Sequence, residues 1–199
     1  MRNFFCLTTL LCAALPALAA TVQVQVQDCT GKALPDAVVY LESKDAAATV
    51  KPMQGAEVAQ MNRKFDPQVR VVTVGTAVQF PNHDTVRHQV YSFSDTKKFE
   101  LKLYAGSTAS PVLFDKPGIA VLGCNIHDSM VAWIVVVPTP YFGRSGPDGK
   151  LVLDDLPPGN YHLRTWHTQL PVGTPAQDQA LTVPATGATV ALRMAGLVP

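Results

Sequence analysis

Three metal-binding residue types fall within one seven-residue segment of this chain. Cys124 is followed three residues later by His127, then after three more by Met130, which directly precedes the apolar run 131–137. A thiolate, a neutral imidazole and a thioether with this spacing can converge from one tight loop. Copper in an electron-transfer site takes two imidazoles and one thiolate in a plane, with a long axial thioether. The segment therefore predicts one copper ion per chain and supplies three of its four ligands.

Core packing and zinc binding are the competing explanations of this segment. Cysteine and methionine are frequent core residues, but packing alone does not require a histidine between them. Zinc sites use thiolate, imidazole or carboxylate ligands and seldom a thioether. The sequence also lacks the CxxC or HxxxH pair that would complete a zinc site. These points favour copper.

The second histidine ligand must come from elsewhere, and segment 74–92 offers two candidates. His83 precedes Asp84 in a predicted loop, which is typical of a surface residue. His88 directly precedes the β-rich run 89–93. Position alone leaves both histidines open as the ligand, with His83 the more typical surface residue.

Four motifs together resemble those of the cupredoxins. They are Phe80-Pro81-Asn82, His88-Gln89-Val90, the turn Phe114-Asp115-Lys116-Pro117-Gly118, and the Cys-x2-His-x2-Met loop. The short loop looks most like that of amicyanin, and the whole chain resembles periplasmic methylamine utilization and plastocyanin-like proteins. The resemblance covers about residues 50–138, and it implies a Greek-key β-sandwich that carries single electrons.

Carried over to this sequence, the resemblance implies that His88, Cys124, His127 and Met130 bind the copper. Two positions depart from the family pattern. Ile126 stands where many cupredoxins have proline, and Gln89 stands where an asparagine commonly braces the cysteine-bearing loop. Changes around the ligands can alter metal affinity and redox tuning without abolishing the site.

The first twenty residues predict secretion to the periplasm. A basic start, the apolar stretch 4–15 and small residues at 17–20 make a signal peptide over residues 1–20, cleaved near Ala19 or Ala20. The stretch is too short for a membrane anchor. Only Cys29 and Cys124 remain in the mature chain, and we expect no disulfide between them because the copper needs the Cys124 thiolate.

Charge and hydrophobicity argue against a nucleic-acid-binding protein and against a protein that spans a membrane. Sixteen Lys+Arg residues against fifteen Asp+Glu residues leave a net charge of +1, and phosphate binding needs a concentrated positive surface, so nucleic acid is not an expected partner. After the signal peptide, no apolar run is long enough to span a bilayer, and we expect the mature protein not to cross a membrane.

Short β-rich runs separated by proline and glycine predict an all-β fold. Residues 22–27 alternate between valine and glutamine, which indicates a strand with one buried face. Residues 132–137 are apolar at every position, as expected of a central strand. Thirteen glycines and sixteen prolines leave little room for long helices.

The segments on either side of the cupredoxin-like region resemble a second family. Segment 28–41 looks like the opening hairpin of carboxypeptidase regulatory-like domains, and segment 147–164 looks like a later part of that module. We therefore expect a cupredoxin domain over residues 46–138, inserted into a small transthyretin-like β-sandwich formed by residues 21–45 and 139–199. The alternative is one enlarged sandwich. Trp166, His162 and His167 are read as surface or interdomain residues.

The expected function is one-electron transfer in the periplasm with a redox protein partner, such as a c-type cytochrome or a periplasmic dehydrogenase. The alternative is a copper-trafficking or envelope adaptor module, although such sites more often use several exposed methionines or histidines. We do not expect an enzyme, because the sequence contains no HExxH or GxSxG motif and no His-x-His pair for a second copper centre. Oligomeric state is not predicted.

Overall fold

The structure is a computed structural model that describes residues 19–107 and 110–198. The predicted all-β fold is confirmed, since strands dominate both ranges and their one α-helix, α1 (Lys44–Thr49), is six residues long. Residues 1–18 of the predicted signal peptide lie outside the described residues, and Ala20 begins the first strand. Among the described residues, no helix has the length and hydrophobicity to cross a membrane.

The strands form two groups along the chain. In order they are β1 (Ala20–Gln27), β2 (Val38–Glu42), β3 (Ala56–Glu57), β4 (Ala59–Met61), β5 (Lys64–Asp66), β6 (Val69–Thr73), β7 (Thr76–Gln79), β8 (His88–Ser94), β9 (Lys97–Tyr104), β10 (Val112–Phe114), β11 (Gly118–Gly123), β12 (Val131–Val137), β13 (Phe142–Arg144), β14 (Lys150–Leu156), β15 (Gly159–Trp166), β16 (Gln177–Val183) and β17 (Ala188–Arg193). Both ends of the chain contribute to the first group, and the middle forms the second.

Strands from the two ends of the chain build the outer unit. One sheet has the order β14-β1-β17 and the other has the order β13-β2-β15-β16. In β1 the valines are buried, whereas Gln23 is exposed, as the alternating sequence predicts. The outer unit is therefore two sheets that enclose an apolar core.

Strands from the middle of the chain build the inner unit. Its largest sheet has the order β6-β12-β11-β8-β9, and it faces a smaller sheet of order β10-β7-β3. Phe80, Phe114 and Leu122 are fully buried in the core of this unit. The two-stranded hairpin β4-β5 completes it.

Strand β12 belongs to two hydrophobic cores at once. Ala132, Ile134 and Val136 pack inside the inner unit, whereas Val135 and Val137 belong to the cluster that contains the core of the outer unit. Successive side chains of a strand point to opposite faces, so a strand between two cores must be apolar at nearly every position. This explains the unbroken apolar run of residues 131–137.

The strand pairing supports the arrangement of an inner domain inserted into an outer one, which we retain as a proposal. The sheets of the outer unit contain strands from residues 20–42 and 142–193 only, and those of the inner unit contain strands from 56–137 only. The chain leaves the outer unit after β2 and returns to it before β13. These two points lie side by side, because the Leu41 N–H donates to the Tyr141 carbonyl at 2.9 Å. Helix α1, capped by the Ser43 side chain, leads from β2 into the inner unit.

If this proposal is correct, each unit folds when it is expressed alone. One fragment is residues 46–138, and the other joins residue 43 to residue 140 by a short turn. Both are expected to be less stable than the intact chain, since valines such as Val71 and Val135 lose their contacts across the interface, at about 1.5–3 kcal/mol for each fully buried side chain. Circular dichroism and urea unfolding of each fragment test this. If neither fragment folds while the intact chain does, the two units are one enlarged sandwich.

His167 is a buried titratable group outside the inner unit. Its Nδ1 accepts a hydrogen bond from the Gln169 N–H at 3.2 Å, and its ring also bonds the Pro35 backbone, which offers only a carbonyl. The ring is thus neutral, with its proton on Nε2. Burial lowers the pKa of His167 below its ordinary value of 6.5, although the Pro35 carbonyl and Asp36 favour the charged form.

This depressed pKa predicts an acid-dependent loss of stability. As the pH falls below 6.5, the unfolded chain binds a proton at this position before the folded chain does, so the free energy of unfolding decreases. His167→Gln should reduce this decrease, measured by urea unfolding between about pH 7.5 and about pH 5. His162→Gln, at an exposed histidine, serves as the matched control. Equal pH dependence in the wild type and both variants would contradict the prediction.

Candidate metal centre

A β-hairpin closes the loop that carries Cys124, His127 and Met130. Strands β11 and β12 are antiparallel, and Gly123 pairs with Val131 as the last pair of the ladder. The loop is therefore residues 124–130, with Cys124 directly after one strand and Met130 directly before the other. The Met130 N–H donates to the His127 carbonyl at 2.9 Å, which forms a turn within the loop.

The order of the strands brings His88 to this loop. Strand β8 begins at His88 and lies beside β11 in the five-stranded sheet, where Tyr91 pairs with Gly123. His88 thus lies at the same end of the sheet as Cys124, although 36 residues separate them in the sequence.

His88, Cys124 and His127 form a compact group of potential metal ligands. One ligand atom from each lies within 4.8 Å of the others. Cys124 Sγ is 3.9 Å from His88 Nδ1, and the two imidazole centroids are 5.0 Å apart. His88 is 0% exposed and Cys124 is 3% exposed, whereas His127 is partly exposed. The group is closed on the side of the core and reaches the surface through His127.

Asp84 fixes the orientation of the His88 ring. Its Oδ2 lies 2.8 Å from His88 Nε2, and an ionised carboxylate can only accept, so Nε2 carries the proton. In the neutral imidazole, Nδ1, which faces Cys124, then has the lone pair that a metal ion needs. Histidines that bind metals commonly donate their other ring N–H to a carboxylate or carbonyl in this manner.

The tip of the β4-β5 hairpin holds Asp84 in turn. The N–H groups of Asn62 and Arg63 donate to the Asp84 carboxylate at 2.7 and 2.9 Å, and both residues have a positive φ of 56°. Desolvation opposes the ionisation of Asp84, but the hydrogen bonds from Arg63, His88 and Asn62 outweigh it and lower the pKa of Asp84. The carboxylate is thus charged and ready to accept from His88.

Two further features of the loop fit a metal ligand set. His127 Nδ1 is buried and has no hydrogen-bond partner among the described residues, and a buried polar atom without a partner is costly unless it binds something. Met130 is also buried, in the same cluster as Cys124. Its thioether is thus buried on the core side of the loop rather than at the surface.

The spacing of Cys124 and His88 fits two ligands of one metal ion. Zinc–sulfur and zinc–nitrogen bonds of about 2.3 and 2.0 Å, which are representative of a first-row metal, separate the two ligand atoms by about 3.7 Å when they meet at 120°. The observed distance from Cys124 Sγ to His88 Nδ1 is 3.9 Å. A thiolate and two imidazoles beside a thioether are the donor set of an electron-transfer copper site.

The other residues that the sequence brought forward lie apart from this group. His83 is exposed. The Gln89 side chain donates to Glu100 at 2.6 Å. Cys29 is exposed and Cys124 is buried, and neither is in a disulfide.

Sequence reasoning missed Asp84, whose role depends on contacts with a distant hairpin. Its spacing of four residues from His88 was the only signal in the sequence. The motif Phe80-Pro81-Asn82 gives no sign of a further role for Asn82, whose side chain donates to the carbonyls of Val86 and Tyr104, both at 2.9 Å, and so fixes the segment before His88.

No model of a known protein family matches this sequence, and a search of curated proteins finds no match. Solved structures do match part of the chain. One is a copper-containing nitrite reductase (NirK) from Thermus scotoductus SA-01, with 26% identity and a TM-score of 0.40, over 44% of this chain and 23% of that one. The match thus spans less than a quarter of the reductase.

Two smaller proteins are matched over nearly their whole length. A purple cupredoxin from Nitrosopumilus maritimus has 20% identity and a TM-score of 0.37, over 41% of this chain and 99% of its own. The P52G mutant of amicyanin, in its reduced Cu(I) form, has 22% identity and a TM-score of 0.38, over 50% of this chain and 98% of its own. At these scores the likeness is partial, and the case for a metal centre rests on the residues described above.

We predict that Asp84→Asn weakens Cu(II) binding by about 10- to 100-fold, the usual cost of losing the partner of a ligating histidine. The amide lacks the negative charge that fixes the Nε2 proton, and one of the hairpin N–H groups loses its acceptor. Competition with a chelator measures the affinity. Asp115→Asn, at an exposed carboxylate paired with Lys97, is the control. Equal affinities for the two variants would show that Asp84 does not position His88.

Proposed function

We propose that this protein is a periplasmic carrier of single electrons with a type 1 copper ion bound by His88, Cys124, His127 and Met130. The buried group of one thiolate and two imidazoles carries the proposal, together with the unpartnered Nδ1 of His127. When bound, the copper ion supplies a one-electron couple between Cu(II) and Cu(I). The periplasmic location rests on the signal peptide predicted from residues 1–20.

The protein around the ligands favours electron transfer because it limits their movement. Cys124 and Met130 are fixed by the two strands of a hairpin, and the His88 ring is fixed by Asp84. A ligand set of this kind keeps nearly the same geometry in both oxidation states, so little rearrangement accompanies each transfer.

The enclosure of the site argues against copper trafficking. Transfer of the metal to another protein requires ligands that the acceptor can reach, but His88 and Cys124 are buried. Only His127 among the three is partly exposed. An electron can pass through this side chain while the ion stays in place.

The surface around His127 is the proposed docking area for a redox partner. Ile126 is 49% exposed beside it, and Asn125 is also exposed. Redox partners form small interfaces that release quickly, and one exposed apolar residue beside the ligand suits such contact. A c-type cytochrome or a periplasmic dehydrogenase is the expected kind of partner, and the protein itself is not proposed to be an enzyme.

The test is the visible spectrum and voltammetry of the purified protein with Cu(II). We expect one copper per chain, an intense thiolate-to-copper absorption and a reversible one-electron couple. Cys124→Ser should abolish the colour but leave the far-ultraviolet circular dichroism unchanged.

Paired histidine variants decide which histidine completes the site. His88→Ala should lose the intense absorption, whereas His83→Ala, at the exposed rival position, should keep it. A colourless protein that prefers zinc would overturn the proposed function. A coloured protein with no reversible couple would favour a copper adaptor over an electron carrier.

A further inference from the structure

A cleft of about 740 Å³ lies between the inner and outer units. One wall is the face of the five-stranded sheet opposite the metal ligands, because Tyr91 and Phe93 alternate along β8 with residues whose side chains are buried in the inner core. The other wall is formed by β2, β15 and residues 170–176 of the outer unit. Neither unit alone forms this cleft.

Aromatic rings line the cleft on both sides. Tyr91 and Phe93 have ring centroids 5.1 Å apart, and Trp133 of the inner unit lies 6.1 Å from Trp166 of the outer unit. Phe93 is 74% exposed and Val172, in the facing loop, is 76% exposed. Large apolar side chains this exposed in a cleft of ligand size are typical of a binding site for a small molecule.

The cleft lining also contains charged side chains, and they are engaged in ion pairs. The Arg164 Nε donates to Glu42 at 3.1 Å and lies 3.6 Å from Asp178. Its positive charge is thus already shared between two carboxylates, and Asp95, which also lines the cleft, is paired with Lys98 at 3.4 Å. The lining therefore leaves no unpaired cation for an anionic ligand, whereas a hydroxyl group could donate a hydrogen bond to Glu42.

We propose that this cleft binds a planar hydroxylated aromatic molecule, stacked on Tyr91, Phe93 and Trp133 with a hydroxyl group directed to Glu42. Flat rings gain most from aromatic walls, where offset and edge-to-face contacts add to the burial of apolar surface. The volume lies within the range usual for small-molecule sites, which occur preferentially at domain interfaces.

One residue of the cleft lining directly precedes the loop 124–130 that carries the candidate metal ligands. Gly123 lines it and precedes Cys124, and Tyr91 packs so closely on Gly123 that an added Cβ would lie 2.6 Å from its ring. If the proposed function holds, a hydroquinone bound here is placed to donate electrons. One hydroquinone loses two electrons and two protons to become a quinone, so it reduces two Cu(II) centres in successive encounters and releases its two protons to water.

Binding can be tested on the metal-free protein with 2,6-dihydroxynaphthalene as the probe. The two tryptophans of the chain, Trp133 and Trp166, both line the cleft, so their indole N–H signals in a ¹H–¹⁵N NMR spectrum report on it directly. We expect both signals to shift saturably. Naphthalene-2-sulfonate should bind more weakly because it has no hydroxyl group to donate to Glu42. The proposal would be overturned if neither indole signal shifts with the diol. It would also be overturned if the signals shift with maltotriose, which has hydroxyl groups but no aromatic ring, and not with the diol.

Exposed positions allow variants that do not disturb the core. Phe93→Ala should weaken binding by about fivefold, the value of one aromatic contact, and Val172→Asp should weaken it further by placing a charge in the cleft. Val152→Ala, at an exposed apolar residue outside the cleft, is the matched control. Equal affinity in all three variants would place the probe elsewhere.

The redox role has its own measurement on the copper-loaded protein. Stopped-flow reduction by 1,4-dihydroxynaphthalene should be slower in Phe93→Ala than in Val152→Ala, whereas reduction by ascorbate should be equal in the two. Equal rates with both reductants would overturn the donor role. If the protein binds the diol but forms no coloured copper centre, the proposed function is wrong and the binding site is supported. If the protein forms a coloured copper centre but does not bind the diol, the binding site is wrong and the proposed function is supported.

Discussion

The pairing of β11 with both of its neighbours is the constraint on which the candidate metal centre depends. Its ladder with β12 ends at Gly123 and Val131, which leaves seven residues to close the hairpin. Its contact with β8 places His88 at the same end of the sheet. A slip of one residue in either pairing would turn Cys124 or His88 to the opposite face of the sheet. The register of these three strands therefore decides whether the ligands meet.

The same sheet also joins the inner unit to the outer one. Its inner face carries Leu122 and Ile134 into the core beside Cys124, whereas Val135 and Val137 on the outer face enter a cluster with the outer unit. The outer unit thus covers part of a surface that would otherwise be exposed. Where the two units do not touch, the aromatic cleft remains, and Gly123 in its lining directly precedes Cys124. The outer unit therefore forms one wall of a cleft that lies next to the candidate metal centre.

Polar contacts around His88 show how a short segment can be held without regular secondary structure. Asn82 fixes residues 82–86 through two carbonyls, and Asp84 is held by the N–H groups of Asn62 and Arg63. The carboxylate then orients His88. Each hydrogen bond fixes the next group, so the buried imidazole is oriented by the backbone of a hairpin more than 20 residues earlier in the chain.

Several strands and the residue types of the candidate site can be predicted from the sequence. Alternation in residues 22–27 and the apolar run 131–137 predict strands because side-chain burial follows local periodicity, and the spacing of Cys124, His127 and Met130 is confined to one loop. No local pattern shows that His88 lies beside Cys124, that Asp84 binds His88, or that Trp133 faces Trp166. These contacts join residues far apart in the chain, and the pairing of strands that creates them depends on the packing of the whole protein rather than on any local pattern.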